Sequence, residues 1–222
     1  MKVEAVTVCI DYGPTLQQCI SNANFLDRWV IVTVDRDEKT RQLCRDIPNV
    51  QVICSERIYE NGAAFAKGKA INEGLAKLDK TDWLLHLDAD VKLPYNFRRV
   101  INPPPHGVWI PDPSIGSAVK RTEQLDTEIF YGSMRYREDG TQNQELIPET
   151  NEPFDFIGQK IMNGYFQLWH SSMEKTYPED SNDARQDDMD HFARWPIEKR
   201  EFLPLKVIDI DEEHNRNHFG IK

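Results

Sequence analysis

Apolar and polar positions along the first hundred residues fall into two alternating kinds of segment. "VEAVTVCI" (3–10), "WVIVTV" (29–34), "VQVIC" (50–54) and "DWLLHL" (82–87) are short runs rich in β-branched and other apolar side chains. "WVIVTV" is apolar at nearly every position, as expected of a parallel strand covered on both faces. Between these runs lie helical patterns: "TLQQCISNANFL", the polar "DEKTRQLCRDI" stopped by Pro48, and the longer "GAAFAKGKAINEGLAKL" (62–78). The order β-α-β-α-β-α-β predicts an α/β chain built on a doubly wound parallel sheet. Ligands of such sheets sit at the carboxyl ends of the strands. Asp11, Asp35, Ser55 and Asp88 all fall at those ends.

The second half has a less regular pattern. Residues 102–118 are rich in proline around a short strand at Val108–Ile110, and Thr127–Tyr136 reads as a further strand. Residues 137–152 are polar and read as a loop. "IMNGYFQLWH" is an aromatic strand, "SNDARQDDMDHFARW" a loop entering a helix, and "LPLKVIDI" a last strand before the tail "DEEHNRNHFGIK". No repeat and no linker interrupts the chain, so one domain over 1–222 is expected, with residues 1–100 and 101–222 as its two halves.

Length and charge narrow the function. A chain of 222 residues buries a sizeable core. With 37 acidic against 27 basic residues the formal charge is −10. That sign gives no general attraction for nucleic acid or an anionic membrane, and a phosphate-bearing substrate would need a bridging cation or a local basic patch. The four cysteines, Cys9, Cys19, Cys44 and Cys54, form no C-x-x-C pair and read as reduced core residues of a cytoplasmic protein. Glu4 and Asp11 interrupt the opening stretch, which therefore lacks the apolar core of a secretion signal. No apolar run is long enough to span a bilayer.

One stretch concentrates the chemistry. "WLLHLDADVKLP" ends a buried strand in two carboxylates, Asp88 and Asp90. Like charges so close are costly unless a cation shares them. Hard oxygen ligands at this spacing suit Mg²⁺ or Mn²⁺. The plainer alternative is an acidic turn, with Asp90 capping a helix near Pro94. The strand with "HLDADVKLP", preceded by the helix "AKGKAINEGLAKL", resembles a GT-A-fold glycosyltransferase of the family-2-like kind. The resemblance is good over residues 3–100 and looser over 155–220; nothing in 101–150 matches. It implies a Rossmann-like, mostly parallel sheet. Residues 1–100 would bind the nucleotide-sugar, most simply a UDP-linked one, and 101–222 would form a smaller acceptor-side region. It further implies that Asp88 and Asp90 hold Mn²⁺ or Mg²⁺ on the donor diphosphate, where a Lewis acid stabilises the departing oxyanion.

Further residues follow from the same resemblance. Asp11 and Tyr12 would meet base and ribose. Asp35 would face the base, although the usual "DDGS" is replaced here by "VDRDEKT". Lys69 matches the basic residue near the diphosphate. An inverting transferase needs a general base for the acceptor hydroxyl, saccharide or otherwise. Asp188 fits that role, with Asp187 beside it in "RQDDMDHFARW"; a helix start also tolerates such a pair for its dipole alone. In "NGYFQLWH", Gly164 permits close backbone approach, and Tyr165, Trp169 and His170 are candidates to face an acceptor. In the tail, His214 or His218 would complete the metal shell. The rival readings are a haloacid-dehalogenase-like phosphatase with Asp88 as nucleophile, and a non-catalytic nucleotide-sugar-binding module.

Overall fold

The computed structural model describes residues 1–63, 65–112, 117–142, 155, 158–161, 164–173, 175–180 and 184–210. In chain order the elements are β1 (Val3–Val8), α1 (Gly13–Cys19), β2 (Arg28–Thr33), α2 (Glu38–Cys44), β3 (Val50–Cys54), α3 (Lys67–Leu75) and β4 (Trp83–Leu87). Then follow β5 (Val91–Lys92), α4 (Phe97–Ile101), β6 (Val108–Asp112), β7 (Ser117–Arg121) and β8 (Phe130–Arg137). The last three are β9 (Phe166–His170), α5 (Ala184–Phe192) and β10 (Arg200–Asp209). Eight strands form one mostly parallel sheet in the order β3-β2-β1-β4-β9-β8-β10-β5, and β6 and β7 form a separate hairpin.

Burial on both faces explains the continuous apolar runs. All six residues of β1 are buried. Successive side chains point to opposite faces: Ala5, Trp29, Ile31 and Leu85 enter one core, and Val6, Val30, Val32 and Leu84 enter the other. On the second face α3 lies against the sheet at Gly74, where a Cβ would stand 2.5 Å from Val6 and 2.9 Å from Val32. Glu4 is charged yet sits within buried β1. Its carboxylate accepts the amides of Asp79, Lys80 and Thr81 at 2.6, 3.2 and 2.9 Å, and the Thr81 hydroxyl at 2.9 Å. The buried charge is thereby hydrogen-bonded, as burial requires, and the loop entering β4 is fixed.

Three departures from the sequence pattern matter for the site. The third helix does not begin at Gly62: a 3₁₀ turn over Arg57–Gly62 comes first, and α3 opens at Lys67. The aromatic strand β9 runs antiparallel to β4, pairing Leu87 with Phe166 and Trp83 with His170. Its beginning, not its end, therefore reaches the carboxyl end of β4. Asp90 does not cap a helix, since Asn96 precedes α4. Of the four cysteines, Cys9, Cys19 and Cys44 are buried, but Cys54 is exposed. Among the described residues no helix is long and apolar enough to cross a membrane.

Candidate active site

The carboxyl ends of β1 to β4 open onto one edge of the sheet, and β4 delivers Asp88 there. The first turn of α3 brings Lys67 beneath it. The Lys67 ammonium lies 2.8 Å from Asp88 Oδ1 and 2.9 Å from Asp188 Oδ2, so residues from β4, α3 and α5 meet on one buried cation. Burial alone would raise the Asp88 carboxyl, but the adjacent ammonium holds it well below the usual carboxylate range. Burial raises the Asp188 carboxyl, and Lys67 offsets this only in part. Burial would depress Lys67; its two carboxylate neighbours instead hold the ammonium above its ordinary value.

Packing fixes this cluster from below. His86, fully buried on β4, places Nε2 3.5 Å from Asp88 and Nδ1 3.8 Å from Asp188. Nδ1 is also 2.7 Å from the Tyr177 hydroxyl, which donates to Gln167 Oε1. Asn72 on α3 grips the Tyr177 backbone in both directions, at 2.9 and 2.8 Å. Asp187 accepts the Gly68 amide at 2.8 Å, so α5 binds the first turn of α3. A Cβ on Gly164 would stand 1.9 Å from Asp188 Cγ. The close approach that glycine allows here is to the Asp188 side chain.

A second cluster adjoins the first. Arg135 on β8 places Nη2 3.2 Å from Asp90 Oδ2 and 2.7 Å from Asp209 Oδ2, at the end of β10. Its guanidinium lies 5.3 Å from the Tyr165 ring centroid, while the Tyr165 hydroxyl donates to Ser133 O at 2.7 Å. The Tyr165 carbonyl accepts the Asp88 amide at 3.1 Å, which ties the start of β9 to this edge. Burial pushes the Asp90 carboxyl up to about 6, with Asp88 and Asp209 adding to the effect and Arg135 opposing it. Asp90 Oδ1 is buried and has no hydrogen-bond partner among the described residues.

That orphaned oxygen, and the charge around it, suit a divalent cation. Asp88, Asp90, Asp187, Asp188 and Asp209 gather here around the cations Lys67 and Arg135. Hard carboxylate oxygens match Mg²⁺ or Mn²⁺. Among the described residues no three Asp, Glu, His or Cys side chains gather to hold one ion. The remaining ligands would have to come from water, substrate or the tail. His214 and His218 lie outside the described residues, but Ile210, four residues before His214, donates its amide to Asp90 O at 2.9 Å.

A third group flanks these two beyond β1, β2 and β3. Asp11 adopts φ 56° and donates its amide to Asp37 Oδ2 at 2.8 Å. Its carboxylate pairs with Arg36 at 2.8 Å, and Arg36 lies over the Tyr59 ring. Asp37, not Asp35, organises this loop: buried, it also accepts Thr33 Oγ1 and caps α2 through the Thr40 amide. Asp35 is exposed, and its carbonyl accepts from Arg41. Tyr12 is buried at the start of α1.

Of the residues expected from sequence, Asp88, Asp90, Asp187, Asp188 and Tyr165 converge, with Asp11 and Tyr12 on the same edge. Lys69 does not join them. It pairs with Glu60 at 2.9 Å, and Lys67, two residues earlier, occupies the position between the carboxylates. Trp169 and His170 are corrected by the direction of β9. Trp169 is fully buried against Phe130, His191 and Trp195, and His170 packs on Trp83 at the opposite end of β4. Lys67, His86, Tyr177, Arg135 and Asp209 were missed. Lys67 stands in the quoted "AKGKAI" and His86 is a polar interruption of "WLLHLDAD", so both left a signal. Arg135 left none, since its partner Asp90 is 45 residues away.

No family model and no curated protein matches this chain. Solved structures do. HddC from Yersinia pseudotuberculosis superposes with a TM-score of 0.53 at 13% identity, covering 93% of both chains. Glucosyl-3-phosphoglycerate synthase from Mycobacterium tuberculosis, in complex with Mn²⁺, UDP and glucosyl-3-phosphoglycerate, gives 0.57 at 11%, covering 97% of this chain and 74% of that one. A mycobacterial protein gives 0.54 at 13%, over 98% and 70%. At these identities the likeness is one of architecture: this chain has a GT-A-like α/β fold.

Proposed function

We propose that this protein is a transferase that moves a sugar from a nucleotide-sugar, most simply a UDP-linked one, to a hydroxyl acceptor, with inversion and with a divalent ion. One observation carries the reading: Asp88 at a strand end and Asp188, a hundred residues later in α5, converge on Lys67 at the ligand-binding edge of a GT-A-like sheet. The presence of Mn²⁺ and UDP in the similarly folded synthase supports it. Asp90 through Oδ1, Asp88, and a tail histidine would hold the ion. When bound, the ion would neutralise the diphosphate and stabilise the leaving group.

The chain's own residues have distinct tasks in this reading. Asp188 accepts the acceptor proton. Its raised carboxyl makes it a better base than an ordinary aspartate, and Lys67 and Gly164 fix its position. Asp187 anchors α5 to α3. Asp11, Arg36 and Tyr59 form the wall on which a base and ribose would rest. The phosphatase alternative would use Asp88 as nucleophile; the GT-A-like architecture supports the transferase reading over it. The test is a panel of UDP-, GDP- and dTDP-sugars with and without MnCl₂, read by thermal shift and by nucleotide release. Mn²⁺-dependent stabilisation and slow release from one of them is expected. Turnover of p-nitrophenyl phosphate without any nucleotide-sugar response would overturn the proposal.

A further inference from the structure

Arg135 holds Asp90 in an unfinished way. The guanidinium is a planar fork suited to gripping a carboxylate with two parallel hydrogen bonds. Here one nitrogen, Nη2, serves both Asp90 and Asp209. Nε is buried with no hydrogen-bond partner among the described residues, and so is Asp90 Oδ1. A donor and an acceptor are thus left unmade within one ion-pair cluster. Partly satisfied buried polar networks are costly. The missing members are a cation for the carboxylate oxygen and an anion for the guanidinium.

Resting on the transferase reading above, we propose that Arg135 is the clamp for the donor diphosphate and, until the donor arrives, the resident counterion of Asp90 and Asp209. A divalent ion takes Asp90, and the guanidinium released from it forks onto the phosphate oxygens that arrive with the ion. No covalent bond forms or breaks; one ion-pair partner is exchanged for another. Either ligand alone meets opposition. The ion must compete with a resident positive charge, and the diphosphate faces the carboxylates of Asp88, Asp90 and Asp188. Together they satisfy the whole cluster. Binding of ion and nucleotide is therefore strongly synergistic, and Arg135 is the source of that synergy.

The experiment measures Mn²⁺ binding from the free-ion electron paramagnetic resonance signal, with and without UDP, in the full chain. R135Q removes the competing charge. It should bind Mn²⁺ alone about tenfold or more tightly than wild type, as expected for loss of a charge a few ångströms from the ion. R135Q should also bind UDP more weakly in the presence of Mn²⁺. R135K keeps the charge but not the fork. Its Mn²⁺ affinity should stay near wild type, while its Mn²⁺-dependent UDP affinity falls, and it reads the proposal even if R135Q does not fold. Unchanged Mn²⁺ affinity in R135Q, or undiminished UDP affinity in R135K, overturns the role of Arg135 alone. A wild-type protein that shows no Mn²⁺-dependent UDP binding overturns both this inference and the transferase reading.

Discussion

Replacing Lys67 by methionine tests the centre of the site. The methionine side chain has nearly the lysine's length and fills its space, so the loss is of charge rather than of packing. In wild type the ammonium is 2.8 Å from Asp88 and 2.9 Å from Asp188, with only 8% of its side chain exposed. Removing one partner of a buried ion pair costs about 3–5 kcal/mol. A ceiling follows from protonation: taking up a proton at pH 7 on a carboxyl of ordinary pKa near 3.9 costs about 4 kcal/mol. Above that cost the stranded aspartate would become neutral. K67M should therefore lose roughly 3–4 kcal/mol, a shift of about 6–16 °C in Tm for a chain of this size. Urea unfolding followed by tryptophan fluorescence measures it. D188N alone strands nothing charged except Lys67, which keeps Asp88. In the K67M background D188N removes one of the two stranded carboxylates and should restore about 1–3 kcal/mol. A loss under about 1 kcal/mol in K67M, with D188N costing the same in both backgrounds, would refute the bridging role.

Two further outcomes follow from single residues. In G164A the added Cβ would stand 1.9 Å from Asp188 Cγ, so the carboxylate must leave its place. Transfer should fall about 10²–10⁴-fold, as for loss of a general base, while UDP affinity measured by calorimetry stays near wild type; retained transfer would remove Asp188 from the proposed mechanism. Burial holds His191 well below its ordinary value, neutral in a stack 3.7 Å from the Tyr177 ring. A depressed histidine contributes stability that is present above the unfolded value of about 6.5 and lost as pH falls below it. Between pH 7.5 and 5.5 this group should remove about 1.4 kcal/mol from unfolding stability, and H191Q should show a correspondingly shallower decline; identical pH dependence in both proteins would exclude the effect.

The first half was legible because its signals are local. β1, β2 and β4, buried at nearly every position, are mostly apolar, and the edge strand β3 stood out by its β-branched residues. The second half follows contacts that no local pattern carries. Nothing within "NGYFQLWH" states that β9 runs antiparallel to β4. A strand reversed in direction exchanges its two ends, and with them the residues that reach the site. That one unknown moved Trp169 and His170 away from the edge and left Tyr165 on it. The start of α3 turned on a similar point. The turn at Arg57–Gly62 ends where helical periodicity would begin the helix, α3 opens only at Lys67, and Lys67 rather than Lys69 meets the carboxylates.

The carboxylates themselves announced a need that sequence alone could not assign. Asp88 and Asp90 close a buried strand, and such charges require a cation. Along the chain a metal is the natural candidate, although Lys92 stands two residues after Asp90. In the folded protein each aspartate has a nitrogen cation of its own: Lys67, 21 residues earlier, and Arg135, 45 residues later. Both clusters keep buried atoms without hydrogen-bond partners among the described residues, Asp188 Oδ1 and His86 Nε2 in the inner one and Asp90 Oδ1 in the outer. Lys67 is shared by two carboxylates at short distance and sits at the bottom of the cluster, where its loss would be structural. Arg135 keeps a buried donor, Nε, without a hydrogen-bond partner among the described residues. The inner ion pair thus reads as framework and the outer one as the part that a ligand rearranges. On the proposed reading Asp88 would meet the ion while keeping Lys67, and Asp90, two residues on in the same motif, would give up Arg135 to do so.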